Sequence, residues 1–121
     1  MNAPIFSICA ASLAVQGVIG TNPVKFFPAG DVPAGTQRPY ATYQNIGGQP
    51  ENYLADVPDV DQFIIQVSCY ADTLGVAHQV ALALRDAIEP HAHITAWRGD
   101  GRDPVTKSYS YIFDVDWIVS R

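Results

Sequence analysis

The chain has 121 residues, the usual length of one domain, of which 48% are hydrophobic and 16% are charged. This composition supplies enough apolar surface for a core and excludes a globally disordered chain, so we expect a single domain over residues 1–121. The formal net charge of −5 opposes any function that neutralises nucleic-acid phosphates with Lys and Arg.

The first predicted element is a helix over residues 3–16. Asn2 can cap its free N–H groups and Pro4 is tolerated in a first turn, while Gly17 and Gly20 end the helix. Nearly every side of this helix is apolar or small, so we expect it to pack on more than one face. Another subunit could supply part of that packing.

Residues 3–24 contain no charged side chain, which raises the question of a signal peptide or membrane anchor. No basic residue precedes this run, Pro4 opens it, and glycines and polar residues interrupt it. We therefore expect a soluble protein without a membrane partner.

Two short strands and two loops follow. Residues 24–27 are a short strand candidate, and the Pro- and Gly-rich segment 28–39 is a loop. A strand is predicted over 40–46 from its Tyr and Thr content, ended by two consecutive glycines. Residues 47–60 then form a second long loop, which carries Glu51, Asp56 and Asp59.

The central part of the chain predicts a strand and then the clearest helix. Apolar residues alternate over 63–70, as in a strand with one face against a core. Asp72 is a candidate N-cap for a helix over 73–89, which Pro90 stops. Leu82 falls on the polar side of this helix, which is typical of an isolated exposed leucine but also of a subunit contact.

The last part of the chain predicts a short strand over 94–98, a turn-rich loop over 99–104, and a long strand over 109–119 with the strongest period-2 alternation in the chain. The predicted fold class is therefore α+β. We expect two layers, with two main helices packed on one face of a mostly antiparallel sheet.

Two groups of residues have the chemistry of a metal site. His91 and His93 would lie on one side of a strand but need a further ligand, and Asp114 and Asp116 project from one strand face. A solvated turn after the helix explains the histidines, and alternation on a solvated sheet face explains the carboxylates. We predict no metal and no other cofactor.

No catalytic residues are predicted. The serines lack the context of a nucleophile elbow. Cys9 and Cys69 lie in apolar stretches, which is typical of buried thiols in a reducing compartment rather than of reactive ones. We therefore expect a non-enzymatic protein.

Several stretches resemble the small tail-completion proteins of phages and prophages, a family that includes tail-terminator and head–tail joining proteins and was long known only as a domain of unknown function. The resemblance covers nearly the whole chain from about residue 5. The matching segments are 39–44 (PYATYQ), 63–71 (FIIQVSCYA), the helix positions Ala77, Leu84 and Ile88, and 110–117 (SYIFDVDW). These are packing residues, and the family brings no catalytic residues. This sequence departs from the family in its longer loop at 28–39 and its nearly charge-free first helix.

The resemblance implies a structural protein of a siphophage virion, assembled in the host cytoplasm and located at the head–tail joint. It implies a homo-oligomeric ring, expected to be a hexamer, that caps the tail tube and ends tail elongation. Its partners would be the tail-tube protein and the head–tail connector or adaptor, with DNA only passing through the channel. The candidate subunit-interface residues are Ile5, Phe6, Leu13, Leu82 and Arg85. The candidate channel-lining residues are Asp56, Asp59 and Asp61, because carboxylates repel passing DNA.

Two alternatives stay open from the sequence. A head–tail connector or stopper component could use the same fold at the neighbouring ring. A small metal-binding enzyme or ligand-binding domain could use His91, His93, Asp114 and Asp116.

Overall fold

The computed structural model describes residues 3–21, 23–50 and 60–120. Within these ranges the chain forms three helices and five strands. The helices are α1 (Ile5–Ala10), α2 (Leu13–Ile19) and α3 (Leu74–Ile88). The strands are β1 (Phe26–Pro28), β2 (Tyr40–Pro50), β3 (Val60–Ala71), β4 (His93–Arg102) and β5 (Tyr109–Ser120).

The strands form one sheet in the order β1-β2-β3-β5-β4. The short β1 pairs parallel to β2, and the other neighbours pair antiparallel. The sheet is thus mostly antiparallel and carries helices on one face, which confirms the predicted α+β class. None of the helices in the described ranges is long and apolar enough to cross a membrane.

The core lies between the helices and the sheet face formed by the odd-numbered residues of β3 and β5. Val67 is opposite Phe113 and Ile65 is opposite Val115, and all four side chains are buried. Burial of such side chains stabilises the fold through removal of apolar surface from water. From the helix layer, α3 contributes its fully buried residues to the same core, namely Ala77, Val80, Leu84 and Ile88.

The N-terminal segment folds as two short helices rather than the single helix predicted over 3–16. The chain leaves α1 at Ala11, and Ser12 begins α2 by accepting a hydrogen bond at Oγ from the N–H of Val15. Because a serine at this position satisfies an otherwise unpaired N–H group, it favours a new helix start over continuation. Gly17 lies inside α2, and Gly20, with a φ of 87°, ends it. Asn2 lies outside the described residues.

Thr73, not Asp72, caps α3. The Thr73 Oγ1 accepts a hydrogen bond from the N–H of Val76 at 3.2 Å. Asp72 instead forms an ion pair with Arg38, whose Nε lies 2.7 Å from its Oδ1. Both residue types can cap a helix, so the sequence alone did not distinguish them.

The paired glycines at 47 and 48 do not end β2, which continues to Pro50 and remains paired with β3. The register shifts between Asn45 and Gly47, which marks a β-bulge. Gly48 has a φ of 145°, and a Cβ there would collide with the carbonyl oxygen of Gln62. Glycine is thus needed here for a close approach of two strands and not for a turn.

The segment 99–102, predicted as a loop, belongs to β4. This strand runs to Arg102 and pairs with β5 throughout, with register shifts between Ile94 and Ala96 and between Trp97 and Gly99. Gly99 adopts a φ of 94° at the second shift. The two irregularities break the period-2 pattern, which is why the sequence predicted a shorter strand.

Candidate functional site

An exposed aromatic and aliphatic patch lies at the β4 edge of the sheet, on the helix side. Leu82 of α3 and Trp97 of β4 are each 46% exposed. One side of the Trp97 ring packs on Phe113 and Tyr111, with ring centroids 5.2 and 5.7 Å away. Because core aromatics hold the indole in place, its exposed side is a rigid apolar surface of the kind that anchors protein contacts. We call Leu82, Trp97 and the side chains around them the Trp97 surface.

Charged and polar groups border the Trp97 surface and are paired. The guanidinium of Arg85 lies 2.9 Å from a carboxylate oxygen of Asp86 and 3.5 Å from one of Glu89. His78 Nε2 lies 2.7 Å from Asp100 Oδ1, which links α3 to β4. A shallow cavity of about 270 Å³ lies between these groups and the indole. An apolar centre inside a polar rim is the usual anatomy of a protein–protein interface.

A second apolar surface lies near the opposite edge of the sheet, where α1 crosses β1 and β2. Its cavity has a volume of about 510 Å³ and is lined mainly by apolar side chains, among them Phe6, Pro28, Tyr43 and Phe63. Phe6 is 44% exposed, although it lies on a helix whose other face is in the core. We call this the Phe6 surface.

The structure brings some of the predicted interface residues together and separates others. Leu82 and Arg85 lie on the Trp97 surface and Phe6 lies on the Phe6 surface. Ile5 also borders the Phe6 cavity but is only 2% exposed, because its side chain is part of this chain's own core. Leu13 is 82% exposed at the start of α2 and lines neither cavity.

Sequence reasoning missed Trp97. The bulges on either side of it shift the strand register, so the alternation that marks a core-facing residue is absent around it. The only available signal was a large aromatic residue in a short strand next to a charged segment, and that signal alone does not distinguish a core residue from a contact residue.

Of the predicted channel-lining carboxylates, Asp56 and Asp59 lie outside the described residues. Asp61 lies on β3 and is only 7% exposed. A side chain buried to this extent does not present its charge to an open channel, so the lining hypothesis rests on the other two residues.

Of the residues considered for a metal site, the two aspartates are already paired with other side chains. His93 is opposite Asp116 in the sheet, and that carboxylate accepts a hydrogen bond from Gln62 Nε2 at 2.8 Å. Asp114 is buried and pairs with Arg98, whose Nη2 lies 2.6 Å from its Oδ2. Within the described ranges, no group of three or more His, Cys, Asp or Glu side chains could hold a metal ion.

Cys9 and Cys69 are both buried free thiols. Burial raises the pKa of Cys9 to about 12, and burial, followed by proximity to Cys9, raises the pKa of Cys69 as well. Because the thiolate is the nucleophilic form, these cysteines act as core residues in the folded chain.

Comparison with known proteins identifies relatives of this fold. The family model described as "Tail completion protein gp17" matches residues 3–120. No curated protein matches the sequence. Fourteen chains of solved structures match. One, from a structure described as "Virion of native gene transfer agent (GTA) particle", has a TM-score of 0.71 and 15% identity, over 97% of this chain and 92% of that chain.

Proposed function

The chain belongs to the tail completion protein gp17 family, and from this premise we propose that its copies form a closed ring that caps the tail tube. The family membership confirms the resemblance seen in the sequence and makes the chain a structural protein of a phage tail. In the proposed ring, the subunits end elongation of the tube and provide the joint to the head–tail connector. The proposed location is the virion, at the head–tail joint.

The positions of the two apolar surfaces support a ring. The Trp97 surface lies at the β4 edge, and the Phe6 surface lies towards the β1 edge. Five strands spaced at about 4.8 Å place these edges about 19 Å apart. A ring with cyclic symmetry requires two different complementary surfaces on each subunit, because every contact joins one side of a subunit to the other side of the next.

The single observation that carries the proposal is this pair of exposed apolar surfaces on opposite sides of a chain from this family. Each surface is partly exposed although it adjoins the core, so contact with a second copy would remove further apolar area from water. We propose a hexamer, in line with the expectation from the family.

The acidic balance of the chain suits a channel through which DNA passes. With a formal charge of −5, a ring of identical subunits repels phosphates at its inner wall wherever carboxylates line it. We propose Asp56 and Asp59 as lining residues. A gene transfer agent virion contains a chain of similar fold, which supports a virion location by analogy of fold alone.

The test is the solution mass of the purified chain, measured by light scattering over a range of concentrations, alone and with tail-tube protein. We expect either a closed ring or a monomer that becomes a ring at tube ends. Electron microscopy of tube ends provides the second readout, with one cap per finished end.

Two outcomes would replace this proposal. A chain that ignores tail tubes but binds purified adaptor protein would identify a head–tail connector or stopper component. A monomer that ignores both and binds stoichiometric metal, with loss of metal on His93→Ala, would identify a small metal-binding domain.

A further inference from the structure

A polar cleft lies outside the two surfaces that form the proposed ring contacts. It has a volume of about 630 Å³ and lies where the loop between β1 and β2 meets the loop between β4 and β5. We call it the Arg38 cleft. The side chains that matter for its chemistry are Arg38, Tyr40, Tyr70, Asp72, Asp103 and Ser108.

The one cationic side chain lining the cleft is already engaged. Arg38 Nε lies 2.7 Å from Asp72 Oδ1, and Arg38 Nη1 donates a 3.2 Å hydrogen bond to the carbonyl oxygen of Thr106. The hydrogen bond to Thr106 joins the two loops across 68 positions of sequence, and the ion pair joins Arg38 to the segment between β3 and α3. Two of its five N–H donors are directed at protein oxygens and Asp72 offsets its charge, so Arg38 alone is poorly placed to hold an anionic ligand.

The charge of the cleft is negative. Arg38 offsets one of the two carboxylates, Asp72 and Asp103. The backbone N–H groups of Val105 and Thr106 donate hydrogen bonds to Asp103 and hold the pKa of its carboxyl below its ordinary value. Asp103 therefore remains ionised over the physiological range. Asp72 is largely exposed and has a second carboxylate oxygen available.

Two aromatic rings form part of the cleft wall. The rings of Tyr40 and Tyr70 lie 5.1 Å apart between centroids and are tilted by 30°. A guanidinium or ammonium group within about 6 Å of such a ring is attracted to its face. Aromatic faces next to carboxylates and hydroxyl groups are suited to an organic cation.

An independent observation points to a missing donor. Ser108 lines the cleft and is only 8% exposed, and its Oγ has no hydrogen-bond partner within the described part of the chain. Buried hydroxyl groups are normally hydrogen-bonded, and the Ser108 Oγ is itself covered, so a ligand donor in the cleft would become its partner on rotation of the Ser108 side chain towards the cavity.

We propose that the Arg38 cleft binds an arginine or lysine side chain presented by another protein chain. The cation is held by Asp72 and Asp103, stacks on Tyr40 or Tyr70, and donates a hydrogen bond to Ser108 Oγ. Arginine fits best, because its planar group can stack on a ring and hydrogen-bond to a carboxylate at the same time.

The position of the cleft indicates which chain presents the basic residue. The cleft lies at the ends of the strands, where β2 and β5 begin and β3 ends, rather than at the lateral β4 edge. In the ring, lateral surfaces contact sister subunits, and strand ends are left for a neighbour along the tail axis. This last step, the axial partner, rests on the proposed function, whereas cation binding by the cleft does not.

The test is an NMR titration of the isotope-labelled chain with the capped tripeptide Ac-Gly-Arg-Gly-NH2. Its control is the same peptide with citrulline, which keeps the shape of arginine but has no charge. We expect amide shifts confined to the Arg38 cleft for the arginine peptide and none there for the citrulline peptide. Asp72→Asn should weaken binding about tenfold, as for loss of a charged hydrogen-bond partner, and Ser108→Ala should weaken it about threefold.

The matched control variant is Asp86→Asn. Asp86 is an exposed aspartate paired with an arginine, as Asp72 is, but it lies outside the cleft on α3. Unchanged binding in this variant is expected. Shifts spread over the whole acidic surface, equal binding of the two peptides, or equal loss in Asp72→Asn and Asp86→Asn would each overturn the proposal. The mass measurement on the ring does not depend on this titration, so failure of one leaves the other interpretable.

Discussion

Two leucines on α3, two positions apart, illustrate how the same residue type has different roles on the two sides of one helix. Leu84 is fully buried in the core, and Leu82 is 46% exposed on the Trp97 surface. Removal of buried methyl groups leaves a cavity as well as losing the transfer free energy, whereas truncation of an exposed side chain removes few contacts.

We expect Leu84→Ala to lower the free energy of unfolding by about 2–5 kcal/mol. Leu82→Ala should change it by no more than about 0.5 kcal/mol, because its site is half open to water. Urea unfolding of the two variants under conditions that keep the chain monomeric makes the comparison. Equal losses would show that the exposed side of α3 is part of the core.

The two cysteines give a second prediction. The pKa of Cys9 rises from an ordinary 9.0 to about 12 because of burial, so at pH 8 the thiolate fraction falls about a thousandfold. A thiol reagent added to the folded chain at pH 8 should react correspondingly slowly, and addition of urea should restore the ordinary rate. Fast labelling without urea would contradict the buried placement.

The raised pKa of Cys9 also predicts how the stability of the fold depends on pH. A group whose pKa is raised on folding contributes its full stabilisation below its unfolded pKa, and the contribution is lost as pH rises through the folded pKa. The contribution from Cys9 should therefore be complete below about pH 9 and decline towards pH 12.

Among the helices and strands, the periodicity of the sequence predicted the elements that have one face in the core. The bounds of the other elements depend on local backbone geometry. The long alternation of β5 and the apolar face of α3 were predictable because burial imposes those periods. The extension of β4 was not, because its two register shifts interrupt the alternation. The break between α1 and α2 and the extension of β2 were not either, because each depends on one residue that can have two roles. Ser12 can lie within a helix or begin one, and Gly48 can end a strand or permit a close approach.

Gly48→Ala tests whether Gly48 permits a close approach of two strands or ends a strand. The positive φ and the collision of a Cβ with the Gln62 carbonyl predict a loss of about 2 kcal/mol or more in unfolding free energy. The control is Gly17→Ala, because Gly17 is helical and open space surrounds its Cβ position. That variant should gain up to about 1 kcal/mol from helix propensity. A neutral Gly48→Ala would indicate that the strand ends at the glycines.

At the level of the whole molecule, the family resemblance and the order of elements predicted the α+β class, but not which surfaces remain exposed. The sequence placed Leu82 on the polar side of its helix. It placed Phe6 on a helix that is apolar or small on nearly every side. It could not place Trp97 beside Leu82, because that neighbourhood arises from pairing between β4 and β5 and from the packing of α3 across them. The Arg38 cleft could not be predicted from the sequence either, because the two loops that form it are far apart in the chain.

The prediction for the whole molecule concerns association between copies of this chain. Trp97→Gln should weaken association between copies by at least about tenfold, the effect of losing an interface anchor worth more than about 1.4 kcal/mol. The control is Ile118→Gln, which changes a residue that is 53% exposed on the sheet face away from the helices. Sedimentation of both variants would measure the difference. Equal association in the two variants would show that the Trp97 surface is not part of the contact between subunits.

The position of β5 in the sheet has a consequence for the timing of synthesis. This strand comes last in chain order but lies between β3 and β4, and it supplies Phe113 and Tyr111, on which Trp97 packs. A nascent chain on the ribosome therefore cannot close its sheet until β5 has emerged, since β3 and β4 lack their shared neighbour. We expect ribosome-bound chains truncated before residue 109 to be cleaved rapidly by protease, and chains that expose residue 120 to resist; resistance in the shorter chains would contradict this order. In the proposed ring, a chain that lacks β5 would therefore lack the side chains that support Trp97 and could not make that subunit contact.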